Sequence, residues 1–370
     1  MSLPLVSHFN DFLKNIRLTE NQVSELKTAH ETLRSRLEND ENLKSIIVGT
    51  FLQGSYKRST AVKPRNGNRS DVDIIIVTNL DKESVTPEEA LDNFEIFLEK
   101  YYSGKYRKQG RSWGIEMSHV DLDVVPTSAP SEIEAQSAGN QFIKSDFTVE
   151  SLGYNPFETA ETSSVNRLIF EASSMFQKSA ENTVWKEEPL YIPDREAEIW
   201  EKTHPLEQIR WTIEKNKNCN GHYINVVKAL KWWRKIKFIG VKHPKSYPLE
   251  HFIGDCCPDG IQSVAEGITL TLEKIVSQYF FKPYLSDRGV PEHDVFARVS
   301  DDEYEAFYKD VTEVAAIARE AFDSTDVSLA VNKWREIFGS EFPEPPKTSS
   351  NSSFTPRTHD SGNLTGGRFA

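Results

Sequence analysis

Cysteine is scarce in this 370-residue chain: Cys219, Cys256 and Cys257 are its only three. An odd, sparse count builds no disulfide framework and fits a reducing compartment, so a cytoplasmic protein is expected. The three do not combine with His222 and His251 into a set with zinc-site spacing, so buried free thiols are expected rather than structural zinc. Long apolar runs are missing as well; none approaches the roughly 18 residues that a membrane span needs. The opening MSLPLVSHFNDFLKN has no basic stretch followed by an apolar one, so no secretory leader is expected. Positive charge is in deficit, with a net charge of −12. That balance excludes a broad nucleic-acid-binding face, which runs on Lys and Arg, but leaves room for a local basic cleft. No internal repeat is visible.

What is present suffices for a large core. Apolar residues make up 38% of the chain and aromatic residues 11%, too many for disorder over most of its length. The length suits two lobes. Residues 5–40 read as helical: Phe9, Phe12, Leu13 and Ile16 have helix spacing, and good helix formers follow. Such a helix would pack across the back of both lobes. Residues 44–54 lead to a Gly-Ser turn, 71–79 read as a strand, 87–102 as a helix opened by Pro87, and 113–125 as further strands. Residues 127–190 lack periodicity and read as loops and a lid, with one short helix near 165–170. From His204 the chain is helical again to Phe338. After Phe342 the composition turns to Pro, Ser, Thr, Asn and Gly, and a disordered tail is expected.

The chemistry concentrates in residues 51–77, FLQGSYKRSTAVKPRNGNRSDVDIIIV. Asp71 and Asp73 stand at i and i+2 at the head of a β-branched strand, so both point to one face. Two carboxylates on one face of a sheet bound for burial are costly unless a cation meets them. A hard divalent metal takes carboxylate oxygen most readily. Upstream, Gly54-Ser55 offers backbone N–H groups and a hydroxyl to a phosphate. Residues 119–127, HVDLDVVPT, repeat the acid pattern with Asp121 and Asp123, either of which could supply a third ligand. Each feature alone has a bland reading: solvated acids at a strand end, an ordinary turn. Lys228 and Lys231, at i and i+3 on one helix, could be a solvated basic face, and Tyr247 after Ser246 could be core.

The ordered set GSYKRST, DVDIIIV and DLDVVPT resembles the DNA polymerase beta nucleotidyltransferase superfamily. Within it the chain is similar to the bacterial cGAS/DncV-like nucleotidyltransferases, the CD-NTases of CBASS anti-phage defence. THPLEQIRWTIEKN, CNGHYINVVKALKWWR, YPLEHFIG and the terminal GRFA extend the resemblance, to clade D, over most of residues 8–342. It implies a mixed α/β (α+β) fold: a polymerase-beta-like core (residues 1–200, with the N-terminal helix), a helical C-terminal lobe (201–342) with the active site in the cleft between them, and a tail (343–370).

The resemblance also assigns roles. Asp71, Asp73 and Asp123 would hold two Mg²⁺ ions, for which Mn²⁺ can substitute, with Asp123 a candidate to receive the acceptor hydroxyl's proton. Gly54, Ser55, Lys231, with Lys228 as second choice, and Ser246 would face the donor triphosphate, and Tyr247 would stack on its base. Ser59 stands where the family commonly has Gly, which puts the turn geometry in question. The implied product is an adenine-containing cyclic trinucleotide, of cyclic tri-AMP or cyclic AMP-AMP-GMP type, made from ATP and GTP and sensed by a nuclease effector. A HORMA-type activator and conjugation at Ala370 by a ubiquitin-transfer-like enzyme are further expectations. Nothing resembles the DNA-binding surface of the animal relative cyclic GMP-AMP synthase, so no DNA requirement is expected. The rival readings are a nucleotidyltransferase acting on RNA or protein, and an inactive scaffold.

Overall fold

In the computed structural model, residues 5–65, 67–128, 189–237 and 244–346 are described. The N-terminal helical stretch divides at Arg17–Thr19 into α1 (Val6–Ile16) and α2 (Glu20–Asn39). The division is written locally: Thr19 caps α2 in a reciprocal capping box with Gln22, which satisfies two otherwise orphaned N–H groups. The two helices then serve different cores. Phe9, Phe12, Leu13 and Ile16 of α1 join the helical part of the chain, whereas Leu26, Leu33 and Leu37 of α2 pack on the sheet.

The sheet is built on β1 (Ile47–Gln53), β2 (Ser70–Thr78), β3 (Tyr106–Lys108), β4 (Trp113–Glu116) and β5 (Val120–Ser128), in the order β1-β2-β5-β4-β3. β2 and β5 run parallel; the other neighbours are antiparallel. The uninterrupted Ile-Ile-Ile-Val run of β2 marks a strand covered on both faces. Val72, Ile74 and Ile76 pack toward α2 and the α4 (Pro87–Asp92) and α5 (Glu95–Tyr102) helices, while Ile75 and Val77 pack with Leu206 and Ile209 on the other face. Alternation therefore puts Asp71 and Asp73 on the second face, the one turned to the helical lobe. A parallel pair needs a crossover, which α4, α5, β3 and β4 provide.

β6 (Leu190–Asp194) and β7 (Ile199–Thr203) extend the sheet from β5 as a hairpin. Sequence reading missed them, because each is five residues long, Pro193 interrupts β6, and neither shows clean alternation. The helical lobe comprises α6 (Pro205–Asn218), α7 (Tyr223–Lys237), α8 (Ser246–Cys256), α9 (Val264–Gln278), α10 (Asp301–Asp323) and α11 (Val327–Phe338). Its α7 is buried along most of its length. Phe12, Phe338 and Phe342 pack ring against ring, tying the far end of the lobe to α1. Cys219, Cys256 and Cys257 are buried free thiols. Among the described residues no helix is long and apolar enough to cross a membrane. The expected lid with a helix near 165–170, and the tail from residue 347 to Ala370, lie outside the described residues.

Candidate active site

The parallel register of β2 and β5 sets Asp71 opposite Asp121 and Asp73 opposite Asp123. Asp71, Asp73 and Asp123 line one cleft of about 900 Å³, at the roomy end of small-molecule sites. Asp121 is engaged elsewhere, since with Glu116 it accepts hydrogen bonds from Arg69, at 3.0 and 3.2 Å respectively. The carboxylates of the cleft disturb one another. Burial against the cleft wall, and then Asp73 and Asp123, push Asp71 up to about 8. Burial and then Asp73 push Asp123 up to about 6, against a 3.0 Å hydrogen bond donated by Gln109. Burial also raises Asp73, with Arg58 and Lys231 opposing it.

Among the described residues no three His, Cys, Asp or Glu side chains already form a closed metal-binding group. The three aspartates nonetheless fit a hard divalent cation by their chemistry. They offer only oxygen, they stand on adjacent strands, and positive charge among them would offset the burial that raises all three and the repulsion that adds to it at Asp71 and Asp123.

Gly54 begins α3 (Gly54–Lys57), the single turn that follows β1. Its φ is +77°, and a Cβ there would fall 1.7 Å from Oδ2 of Asp73. Glycine is thus needed twice over, for the left-handed backbone and for the approach of the acid. Beyond it the chain folds back on Ser55, whose carbonyl accepts from the N–H groups of Thr60 and Ala61 at 2.9 and 3.1 Å. The same turn places Ser59 at φ +57°. A serine thus holds the left-handed backbone that glycine adopts at less cost. Its hydroxyl is buried and has no partner among the described residues. Left-handed backbone costs a non-glycine residue about 1–2 kcal/mol, offset in part by glycine's greater freedom when unfolded. Ser59→Gly is therefore expected to raise stability by about 1 kcal/mol in urea unfolding and to leave turnover unchanged. A loss of stability would show that the serine is not strained.

The opposite wall comes from the helical lobe. Lys231, Ser246 and Tyr247 line the cleft with Gly54 and Ser55. Lys228 is buried one turn before Lys231 and does not line it. The Tyr247 hydroxyl donates to Asp287 at 2.6 Å, and the Arg58 guanidinium lies over its ring at 5.3 Å. Lys235 also lines the cleft; burial, then Lys231 and Arg65, lower it to about 8. Sequence reading passed over Arg58, Lys235, Glu250 and Asp287. Arg58 lay within the GSYKRST motif, whereas Glu250 shares the apolar helix that carries Tyr247 with a second acid, Asp255, and nothing local sets it apart.

Comparison with known proteins bears on the family and the fold. Residues 1–142 match the model of the Second Messenger Oligonucleotide or Dinucleotide Synthetase domain. Over the full length of both chains, the sequence is 43% identical to a probable cyclic AMP-AMP-GMP nucleotide synthase of Salmonella paratyphi B. It is 45% identical to a cyclic AMP-AMP-GMP synthase of Enterobacter hormaechei, over 93% of each chain. Among solved structures, the Vibrio cholerae di-nucleotide cyclase DncV, in complex with ATP and GTP, superposes with a TM-score of 0.66 over 93% of this chain and 98% of that one. At 12% identity that likeness concerns the fold.

Proposed function

The chain belongs to the cGAS/DncV-like nucleotidyltransferases, the CD-NTases, and we propose that it joins ATP and GTP into a cyclic AMP-AMP-GMP-type trinucleotide. The observation that carries this reading is the convergence of Asp71, Asp73 and Asp123 on the cleft that Gly54, Ser55 and Lys231 also line. The 43% identity over the whole chain to a probable cyclic AMP-AMP-GMP nucleotide synthase directs the choice of product.

In each transfer an acceptor ribose hydroxyl attacks the α-phosphorus of a donor triphosphate. The new O–P bond forms as the bond to the bridging oxygen breaks and pyrophosphate leaves. Two Mg²⁺ ions held by Asp71, Asp73 and Asp123 would lower the acceptor hydroxyl's pKa and neutralise the leaving group. The chain's own residues position the reactants. The Gly54-Ser55 turn offers N–H groups and a hydroxyl to the phosphates, and Lys231 adds positive charge near the departing pyrophosphate. Tyr247, fixed by Asp287 and Arg58, presents a ring for base stacking. Stacking tolerates any base, so Tyr247 does not by itself choose adenine over guanine. Asp123 is the candidate to take the hydroxyl's proton. Phosphoryl transfer of this kind depends chiefly on such positioning and electrostatics. The last transfer closes the ring on the linear intermediate's own 5′ α-phosphate.

In CBASS defence the product would signal to an effector such as a nuclease. A HORMA-type activator and conjugation through Ala370, which lies outside the described residues, complete the proposal. Radiolabelled ATP, incubated with GTP, Mg²⁺ and the protein, tests it. Label should collect in a small molecule that alkaline phosphatase does not attack. Label in added RNA or in the protein itself would support a terminal nucleotidyltransferase instead, and no pyrophosphate release under any condition would support a scaffold.

A further inference from the structure

Glu250 carries a negative charge against Arg58 and Lys231, two cations that line the cleft, and no step of the reaction uses it. It lies three residues after Tyr247 and four after Ser246, so the three share a face of α8. Its Oε1 accepts from Arg58 Nε at 2.7 Å. Its Oε2 accepts from Thr60 Oγ1 at 2.7 Å and from Lys231 Nζ at 3.5 Å. All four side chains are buried. Arg58 and Thr60 belong to the turn after Gly54-Ser55, Lys231 to α7, and Glu250 to α8, so one carboxylate binds the phosphate-facing turn of the sheet to both helices of the opposite wall.

We propose that Glu250 is a positioning residue that registers the Gly54–Thr60 turn against Lys231 and Tyr247, so that the groups facing the donor triphosphate are set before it arrives. Three features support this. First, the two short hydrogen bonds go to the turn, and the long one goes to Lys231. The turn is therefore anchored, while the lysine can swing toward a phosphate without leaving Glu250 unpaired. Second, Arg58 and Lys231 both line the cleft, and Glu250 favours the charged form of Lys231, whose pKa burial lowers. Third, Arg58 reaches both Glu250 and the Tyr247 ring, so the base platform and the phosphate turn share one support. Burial alone would raise the pKa of Glu250. Arg58 and Lys231, with the hydrogen bonds from Arg58 and Thr60, more than offset this and hold it at about 2. The carboxylate is charged at every pH at which the enzyme would work.

The inference rests on the nucleotidyltransferase reading of the cleft, so its test reads binding as well as turnover. Glu250→Gln keeps the shape and removes the charge; Thr60→Val removes only the hydroxyl bonded to it. Affinity for a non-hydrolysable α,β-methylene analogue of ATP, and for adenosine, would be measured calorimetrically with Mg²⁺, beside melting temperature and steady-state turnover. In Glu250→Gln, the analogue should bind at least about 10-fold more weakly and adenosine should lose distinctly less, because Tyr247 keeps its bond to Asp287, and kcat should fall by about 10²-fold, the scale of a misplaced reacting group. Thr60→Val should show a smaller loss of the same kind with little change in melting temperature. Glu250→Asp, too short to reach all three partners, should recover the charge but not the turnover. Unchanged analogue affinity and turnover in folded Glu250→Gln and in Thr60→Val would overturn the proposal and leave Glu250 a stabilising strut. Should Glu250→Gln fail to fold, Thr60→Val decides alone. If the wild-type protein binds the analogue yet forms no product, the proposed function fails while the comparison of affinities still judges Glu250. If it binds no analogue, both fall.

Discussion

Asp71→Asn should cut pyrophosphate release by at least about 10³-fold, because it removes a charged oxygen ligand from the site where the transition-state charge is neutralised. The same substitution should make the metal-free protein more stable, not less. Asp71 is pushed up from its ordinary 3.8 to about 8. A group with its pKa raised on folding binds more protons when folded, so it lowers stability as pH climbs from about 4 to about 8. Asparagine has no such titration. In thermal unfolding with chelator, the variant and the wild type should agree near pH 4, and the variant should melt higher at pH 8. Adding Mg²⁺ at pH 8 should raise the wild type more than the variant. Activity that survives the substitution would remove the acid cluster from the mechanism. A variant that loses both activity and stability at pH 8 would mean that Asp71 supports the fold.

Gly54→Ala should be nearly as damaging, for a reason that lies in the backbone. The added methyl carbon would sit 1.7 Å from the Asp73 carboxylate, on a residue with φ +77°, so either the turn or the acid must move. A shift of about 1 Å at a reacting group costs on the order of 10² in rate, and kcat/KM should fall by at least about that factor. The left-handed backbone adds a stability loss of about 1–2 kcal/mol. Gly104→Ala separates the two effects: its φ is +70° with nothing within 4 Å of the new carbon. It should lose comparable stability and keep full turnover. Equal turnover in the two variants would show that the close approach of Asp73 to Gly54 does not matter.

Much of the site could be read from the sequence because its groups lie in short local patterns. The i, i+2 acids at the head of an apolar β-branched run fix both the strand and the shared face. Two such pairs anticipate adjacent strands, and the register of β2 with β5 sets Asp73 beside Asp123. Which member of the second pair faces the cleft was not decidable from spacing, since Asp121 and Asp123 stand at i and i+2. The answer depends on Arg69, which reaches Asp121 through tertiary contact. The helices of the second lobe were legible from periodicity and caps. β6 and β7 were not, being short, partly exposed and interrupted by Pro193. Glu250 was hidden for a different reason. One of two acids on an apolar helix has no local signature, and its role exists only where Arg58, Thr60 and Lys231 meet it from 19 to 192 residues away. Lys228 and Lys231 were paired by helical spacing, yet of these two only Lys231 lines the cleft, because α7 is buried nearly all round.

The most direct test of the central claim is the mass spectrum of the phosphatase-treated product formed by the purified protein from ATP, GTP and Mg²⁺, with and without the proteins encoded beside it. The expected result is a cyclic species of two adenylates and one guanylate with no terminal phosphate, absent when Asp71→Asn replaces the wild type. A spectrum with no cyclic species under either condition, or the same species from the Asp71→Asn protein, would contradict the account.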